Sequence, residues 1–131
     1  MNTILFATLI VHGLITTAIA LGSFRLGEPI LNPSWLGWWP TNLGESWLVS
    51  GLRLPDTLFS PLFALGWLAG GLLLIASGLA LFDILLPQEL WRQLAILGSA
   101  ISLVMLVLYL HPLYVLGITL SAGILIALLT A

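Results

Sequence analysis

Three stretches of the chain carry no charged side chain: residues 1–24, 57–82 and 93–131. Crossing a hydrocarbon core of about 30 Å takes roughly 20 residues of helix. The first two stretches, 24 and 26 residues long, therefore hold one span each. The third, 39 residues long, would reach roughly 60 Å as a single helix, twice the core thickness. It has to turn round, and His111-Pro112 marks the place. Proline lacks a backbone N–H and suits the first turn of a new helix. Tyr109 and Tyr114 flank the break, as aromatic residues do at a membrane interface. The runs are continuously apolar rather than alternating, which disfavours a β-barrel. The expected fold is all-α: an integral membrane four-helix bundle forming a single domain, 1–131. Its spans fall at about 3–23, 61–82, 91–110 and 113–129, and a long Trp- and Pro-rich loop covers 24–60.

Composition closes off the other classes. Charged residues make up 6% of the chain, against about 25% in a soluble domain. Hydrophobic residues make up 60%, and the mean hydropathy of +1.19 excludes intrinsic disorder. Three Arg and no Lys cannot form the basic footprint that nucleic acid requires. The absence of Cys removes disulfides, thiolate metal sites and Fe–S clusters together. No metal-ligand spacing, nucleophile–base pair or phosphate loop is present, so no catalytic residue is assigned. Asp83 and Glu89 stand six residues apart across a proline, which is not helical pairing. Ala18-Ile19-Ala20 resembles a signal-peptidase site, but no basic segment precedes it, so residues 3–23 are read as a retained helix.

Capping signals refine the boundaries. Ser60 can cap the second span, with Pro61 as its first helical residue. In the loop, Asn42 and Glu45 form an asparagine variant of the capping box, predicting a short helix from about Leu43 to Leu52. Small residues provide close helix packing: Gly66 and Gly70 in span two, Gly98 in span three, Gly117 and Ser121 in span four. The same faces suit contacts to another copy or to other membrane subunits.

His12 is the one ionisable side chain near the middle of a span, and such groups are functional candidates. Thr8 and Thr16 lie four residues either side, so the three form a polar stripe on one helical face. A neutral imidazole there can bond a quinone oxygen, ligate a porphyrin-type pigment, or simply satisfy itself on a carbonyl, a serine or a water. His111 is expected as a wet side chain at the interface, at the wrong depth to pair with His12 around a haem. The loop holds four of the six tryptophans, Trp35, Trp38, Trp39 and Trp47. Indoles favour the lipid interface. Arg25 or Arg53, paired with Glu28, Glu45 or Asp56 and lined by those tryptophans, would make a site over the bundle mouth for a quinone or lipid.

The apolar segment Leu9-Ile10-Val11-His12-Gly13-Leu14, the long first loop and the Gly-rich run Leu68–Gly78 resemble the DoxX-like group of small bacterial membrane proteins. The early Arg of span one and the Lys after His-Gly expected in that group are missing. The resemblance implies a small membrane bundle linked to quinone-dependent respiratory chemistry, in the bacterial inner (cytoplasmic) membrane, and it carries over no catalytic residue. Arg25 and Arg53 lie on one side, Arg92 and the α-amine on the other, and the orientation adopted is N-in and C-in. The functional expectation is a non-catalytic subunit of a larger respiratory or photosynthetic membrane complex. The alternatives are a stand-alone quinone- or lipid-binding protein and a pigment- or haem-binding subunit using His12.

Overall fold

The structure, a computed structural model, describes residues 1–23 and 31–131. Arg25, Glu28 and the start of the predicted loop lie outside the described residues. The described chain is all-helical. Helix α1 spans Asn2–Ser23, α2 Trp47–Gly51, α3 Asp56–Leu81, α4 Trp91–Leu108 and α5 Val115–Thr130. Single 3-10 turns occupy Ser34–Leu36, Gln88–Leu90 and Pro112–Tyr114, the last two leading directly into α4 and α5. Four helical segments, α1, α3, and α4 and α5 with their leading turns, are long and apolar enough to cross a membrane.

Two predicted boundaries move. Helix α3 begins at Asp56, not at Pro61, which lies in its second turn. Pro55 offers its carbonyl to the amides of Leu58 and Phe59, both at 3.1 Å, and the Asp56 carboxylate sits in the first turn, where the helix dipole favours it. So near the helix start, Pro61 forfeits only the bond to the Thr57 carbonyl, and the helix runs through it. Helix α2 starts at Trp47 rather than Leu43. Glu45 does fold back onto the Asn42 amide at 3.2 Å, as in a capping box. The Asn42 side-chain oxygen Oδ1, however, accepts from the Asn32 backbone N–H at 3.1 Å and so is not spent on a helix amide.

The four long helices pack antiparallel in the order α1, α3, α4, α5. Glycine sets each approach. A Cβ on Gly13 would stand 2.8 Å from the Gly71 carbonyl oxygen, and one on Gly71 would stand 2.7 Å from the Thr17 nitrogen. The backbones of α1 and α3 are thus in contact. Between α3 and α4, Gly70 faces Ser102, Gly98 faces Leu74 and Gly66 faces Met105. Ser77 adds a bond to the Trp91 carbonyl at 2.7 Å. Between α4 and α5, Gly117 lies under Leu106. Gly66, Gly70, Gly98 and Gly117 thus each face a neighbouring helix, as does Gly13, which the spacing of small residues left out, whereas Ser121 faces α1. The ring does not close: α1 and α5 share no packing surface comparable with the other three.

One core cluster, Ala20, Trp67, Met105, Leu106, Tyr109 and Tyr114, lies towards the loop end. A second, Leu9, Leu74, Ala95 and Ile124, lies towards the chain termini. The loop is bonded to the end of α4, whose last carbonyls have no partner within the helix. Ser46 donates to the Leu108 carbonyl at 2.8 Å, and Trp47 Nε1 to the Val107 carbonyl at 2.6 Å. Tyr114 donates its hydroxyl to the Leu43 carbonyl at 2.7 Å. At the opposite end, Arg92 donates to the Leu128 and Ala131 carbonyls and closes the C-terminus of α5.

Gly71→Ala tests the α1–α3 contact. Overpacking against backbone atoms is expected to cost about 1–3 kcal/mol in unfolding measured in detergent micelles. Gly123→Ala is the control, since nothing lies within 4 Å of the added Cβ; it is expected to be neutral or stabilising.

Candidate functional site

Where α1 and α5 fail to pack, a groove opens, and His12 lies on its floor. The His12 ring is 5% exposed, and its Nε2 lies 2.8 Å from the Oγ of Ser121 on α5. This bond bridges the open seam. Gly117 borders the ring, and a Cβ there would meet His12 Cε1 at an ordinary contact distance of 3.7 Å. Thr8 and Thr16 line the same groove, as the four-residue spacing requires. Their hydroxyls donate back to their own helix, Thr8 to the Ile4 carbonyl at 2.8 Å and Thr16 to the His12 carbonyl at 2.7 Å. They offer the groove only oxygen lone pairs.

The groove comprises two adjoining cavities. One, of about 450 Å³, runs from His12 towards Tyr114 and Ile19. The other, of about 640 Å³, runs towards Met1, Trp91 and Leu128. Thr8 and Leu120 line both. No charged side chain lines either among the described residues.

His111 departs from expectation. It is 1% exposed rather than wet, because the loop folds over it. Its Nδ1 accepts from the Leu113 amide at 3.2 Å, capping the turn into α5. The proton therefore sits on Nε2, which donates to Asn32 Oδ1 at 2.8 Å. Asn32 in turn donates to the Thr41 carbonyl at 2.8 Å and to Asn42, which is bonded to Glu45. Trp39 packs edge-on against the His111 ring at 6.2 Å. Asn32 had no signal in the sequence, being one loop amide among several polar residues. Burial pushes the His111 imidazole below its ordinary value of 6.5.

The predicted mouth site divides. Arg53, Glu45 and Asp56 do come together, lining a polar cavity of about 450 Å³ with Ser46, Ser50 and Tyr109. The tryptophans do not join them or His12. Trp47 is engaged by α4, Trp39 lies on His111, and Trp35 and Trp38 are exposed, at 66% and 70%. Trp67, in the middle of α3, is instead the largest fully buried side chain among the described residues and packs edge-on against Tyr109 and at a tilt against Tyr114. No group of three or more His, Cys, Asp or Glu that could hold a metal ion occurs among the described residues.

No family model, no curated protein and no solved structure matches the chain.

The His111 arrangement has a pH signature. Acidification protonates the exposed imidazole of the unfolded chain first, so stability present at neutral pH is lost as pH falls below about 6.5. Thermal unfolding between pH 7 and pH 5 is expected to show this decline. His111→Asn keeps an acceptor for the Leu113 amide and is expected to flatten the slope.

Proposed function

We propose that the chain is a non-catalytic integral membrane protein, inserted by α1, α3, α4 and α5, that holds a membrane-dissolved amphipathic molecule, a quinone or a lipid, in the α1–α5 groove. The observation that carries this reading is the open seam itself. Three of the four helix–helix contacts are made by close glycine packing, while the fourth is left as two adjoining apolar cavities that meet at Thr8 and Leu120, one of them lined by the buried His12. In hydrocarbon such a seam is not empty, because lining atoms without neighbours forfeit their dispersion contacts. Trp35 and Trp38 on the exposed loop suit the headgroup layer, where indoles partition. The bacterial cytoplasmic membrane and the N-in, C-in orientation belong to the same proposal.

A second reading, a subunit of a larger respiratory or photosynthetic membrane complex, is favoured by α5. Val115, Leu116, Ile126 and Leu129 are all exposed on this helix, and Thr119, Gly123 and Ala127 repeat small side chains every fourth residue along the seam. A transmembrane helix of a partner, or of a second copy, would then take the place of the small molecule. Use of His12 by a porphyrin-type pigment is a third reading; it has to accommodate the bond that already holds Nε2.

Purification in a mild detergent followed by native mass spectrometry separates these readings. The expected result is one retained quinone or lipid per chain, lost in Ala7→Trp, which fills the groove from the α1 side. Co-migration with a defined membrane partner and no retained small molecule would favour the subunit reading. A visible absorption band abolished by His12→Ala would favour the pigment.

A further inference from the structure

The hydroxyls of Thr8, Thr16, Thr17, Thr119 and Thr130 all donate to the carbonyl four residues back. Ser121 does not. It is fully buried, and among the described residues its Oγ has His12 Nε2 as its only partner. Two proton placements are open to this pair. If Nε2 carries the proton and donates to Ser121, the serine hydroxyl has no acceptor and is sealed in the protein. If Ser121 donates to Nε2, the serine is satisfied and the ring proton moves to Nδ1. Either placement leaves one donor unpaired within the protein; the second puts it on the groove-lining ring, where an occupant can reach it, rather than on the sealed Ser121 hydroxyl, where the loss would stand. That donor is Nδ1–H, on a ring that lines the groove and is 95% buried by its 5% exposure. Nδ1 finds no partner among the described residues.

Resting on the ligand-holding reading of the groove, we propose that Ser121 fixes His12 as the Nδ1–H tautomer, and that this N–H donates to a carbonyl oxygen of a neutral, chain-bearing compound. Each term has its own observation. A leftover donor calls for an acceptor. Neutrality follows from the lining of the cavity at His12, which has no charged group among the described residues to offset a carboxylate or phosphate. The chain follows from the apolar cavity at His12 and the one that adjoins it at Thr8 and Leu120, which together run towards both ends of the seam. Depth separates the sources. His12 is the eleventh of the 22 residues of α1, halfway along a helix that spans the bilayer in this reading. The ester carbonyls of a phospholipid lie near the headgroups and do not reach that level. A quinone or other ketone dissolved in the hydrocarbon does. His111 provides the internal contrast, because the Leu113 amide forces its proton onto Nε2.

The test uses the full chain in phosphatidylcholine nanodiscs with ¹⁵N-labelled histidine. The probes are decylubiquinone, decylbenzene (the same chain without a carbonyl) and oleate. The NMR spectrum of the probe-free protein is expected to show opposite tautomers, Nδ1–H for His12 and Nε2–H for His111. Decylubiquinone is expected to shift the His12 Nδ1 signal and to bind about tenfold more tightly than decylbenzene, the scale of one hydrogen bond. His12→Leu should abolish that excess, whereas His12→Asn, whose amide reaches the Nδ1 position, should retain it. An Nε2–H tautomer at His12, equal affinity for decylubiquinone and decylbenzene, an excess that survives His12→Leu, or tighter binding of oleate would each overturn the proposal while leaving the groove a binding site. Binding of none of the three probes would overturn the groove reading as well. The tautomer and probe comparisons are made on the unmodified chain, so they stand even where a variant misfolds.

Discussion

The contact of Gly13 with Gly71 governs how the other helices can sit. With no Cβ on either side, the backbones of α1 and α3 meet directly, and Thr17 fills the space beside them. In an apolar solvent no hydrophobic force drives helices together, so close packing of this kind carries the association. The same device recurs at Gly70 and Gly98 against α4 and at Gly117 against α4's Leu106. Between α1 and α5 the pattern changes. Gly117 meets the His12 ring at ordinary contact distance rather than the α1 backbone, and Ile15, Leu116 and Leu120 line the cavity left between the two helices. The groove lies at the one neighbouring pair of helices that no close glycine approach brings together.

The loop end obeys a different constraint. The last carbonyls of α4 need donors, and the donors come from the distant segment around Ser46 and Trp47. This fixes α2 across the bundle mouth. The same segment carries Leu43, whose carbonyl holds the Tyr114 hydroxyl, and the chain of Asn42, Asn32 and His111 that ties the loop to the turn before α5. The mouth is therefore built as a lid bonded to helix ends, and its tryptophans are spent on it or left facing outward. That is why the two parts of the expected site, the His12 stripe and the tryptophan-lined mouth, do not form one cavity.

The four long helices were legible because their signal is the coarsest one available: charge-free length and a proline after His111. The Thr8, His12, Thr16 stripe was legible because helical periodicity alone places it on one face. Starts and stops were less so. Pro61 carries the local signature of a first helical residue, but Pro55 and Asp56 carry it too, and the chain takes the earlier start. His111 was misjudged because its burial depends on residues about 70 to 80 positions away, Asn32 and Trp39, whose arrival no local pattern announces. Ser121 was legible as a small residue for packing; that its hydroxyl would face His12, 109 residues earlier in the chain, required the fold.

Scarcity of polar groups gives the remaining ones unusual weight. In the apolar body of the bundle many hydroxyls are absorbed by their own helix or by a neighbouring carbonyl, while the buried hydroxyls of Ser99 and Ser102 have no partner among the described residues. His12 and Ser121 differ in being bonded to each other across the one seam that packing does not close. An imidazole has two nitrogens, and a single serine can satisfy only one of them. The seam is consequently both unfilled in volume and unmatched by one hydrogen bond at the same place. A leucine at position 12 would have left only volume to fill, which any acyl chain can do. With the imidazole there, the proposed quinone or ketone, which brings a polar atom to the middle of α1, would satisfy both requirements at once.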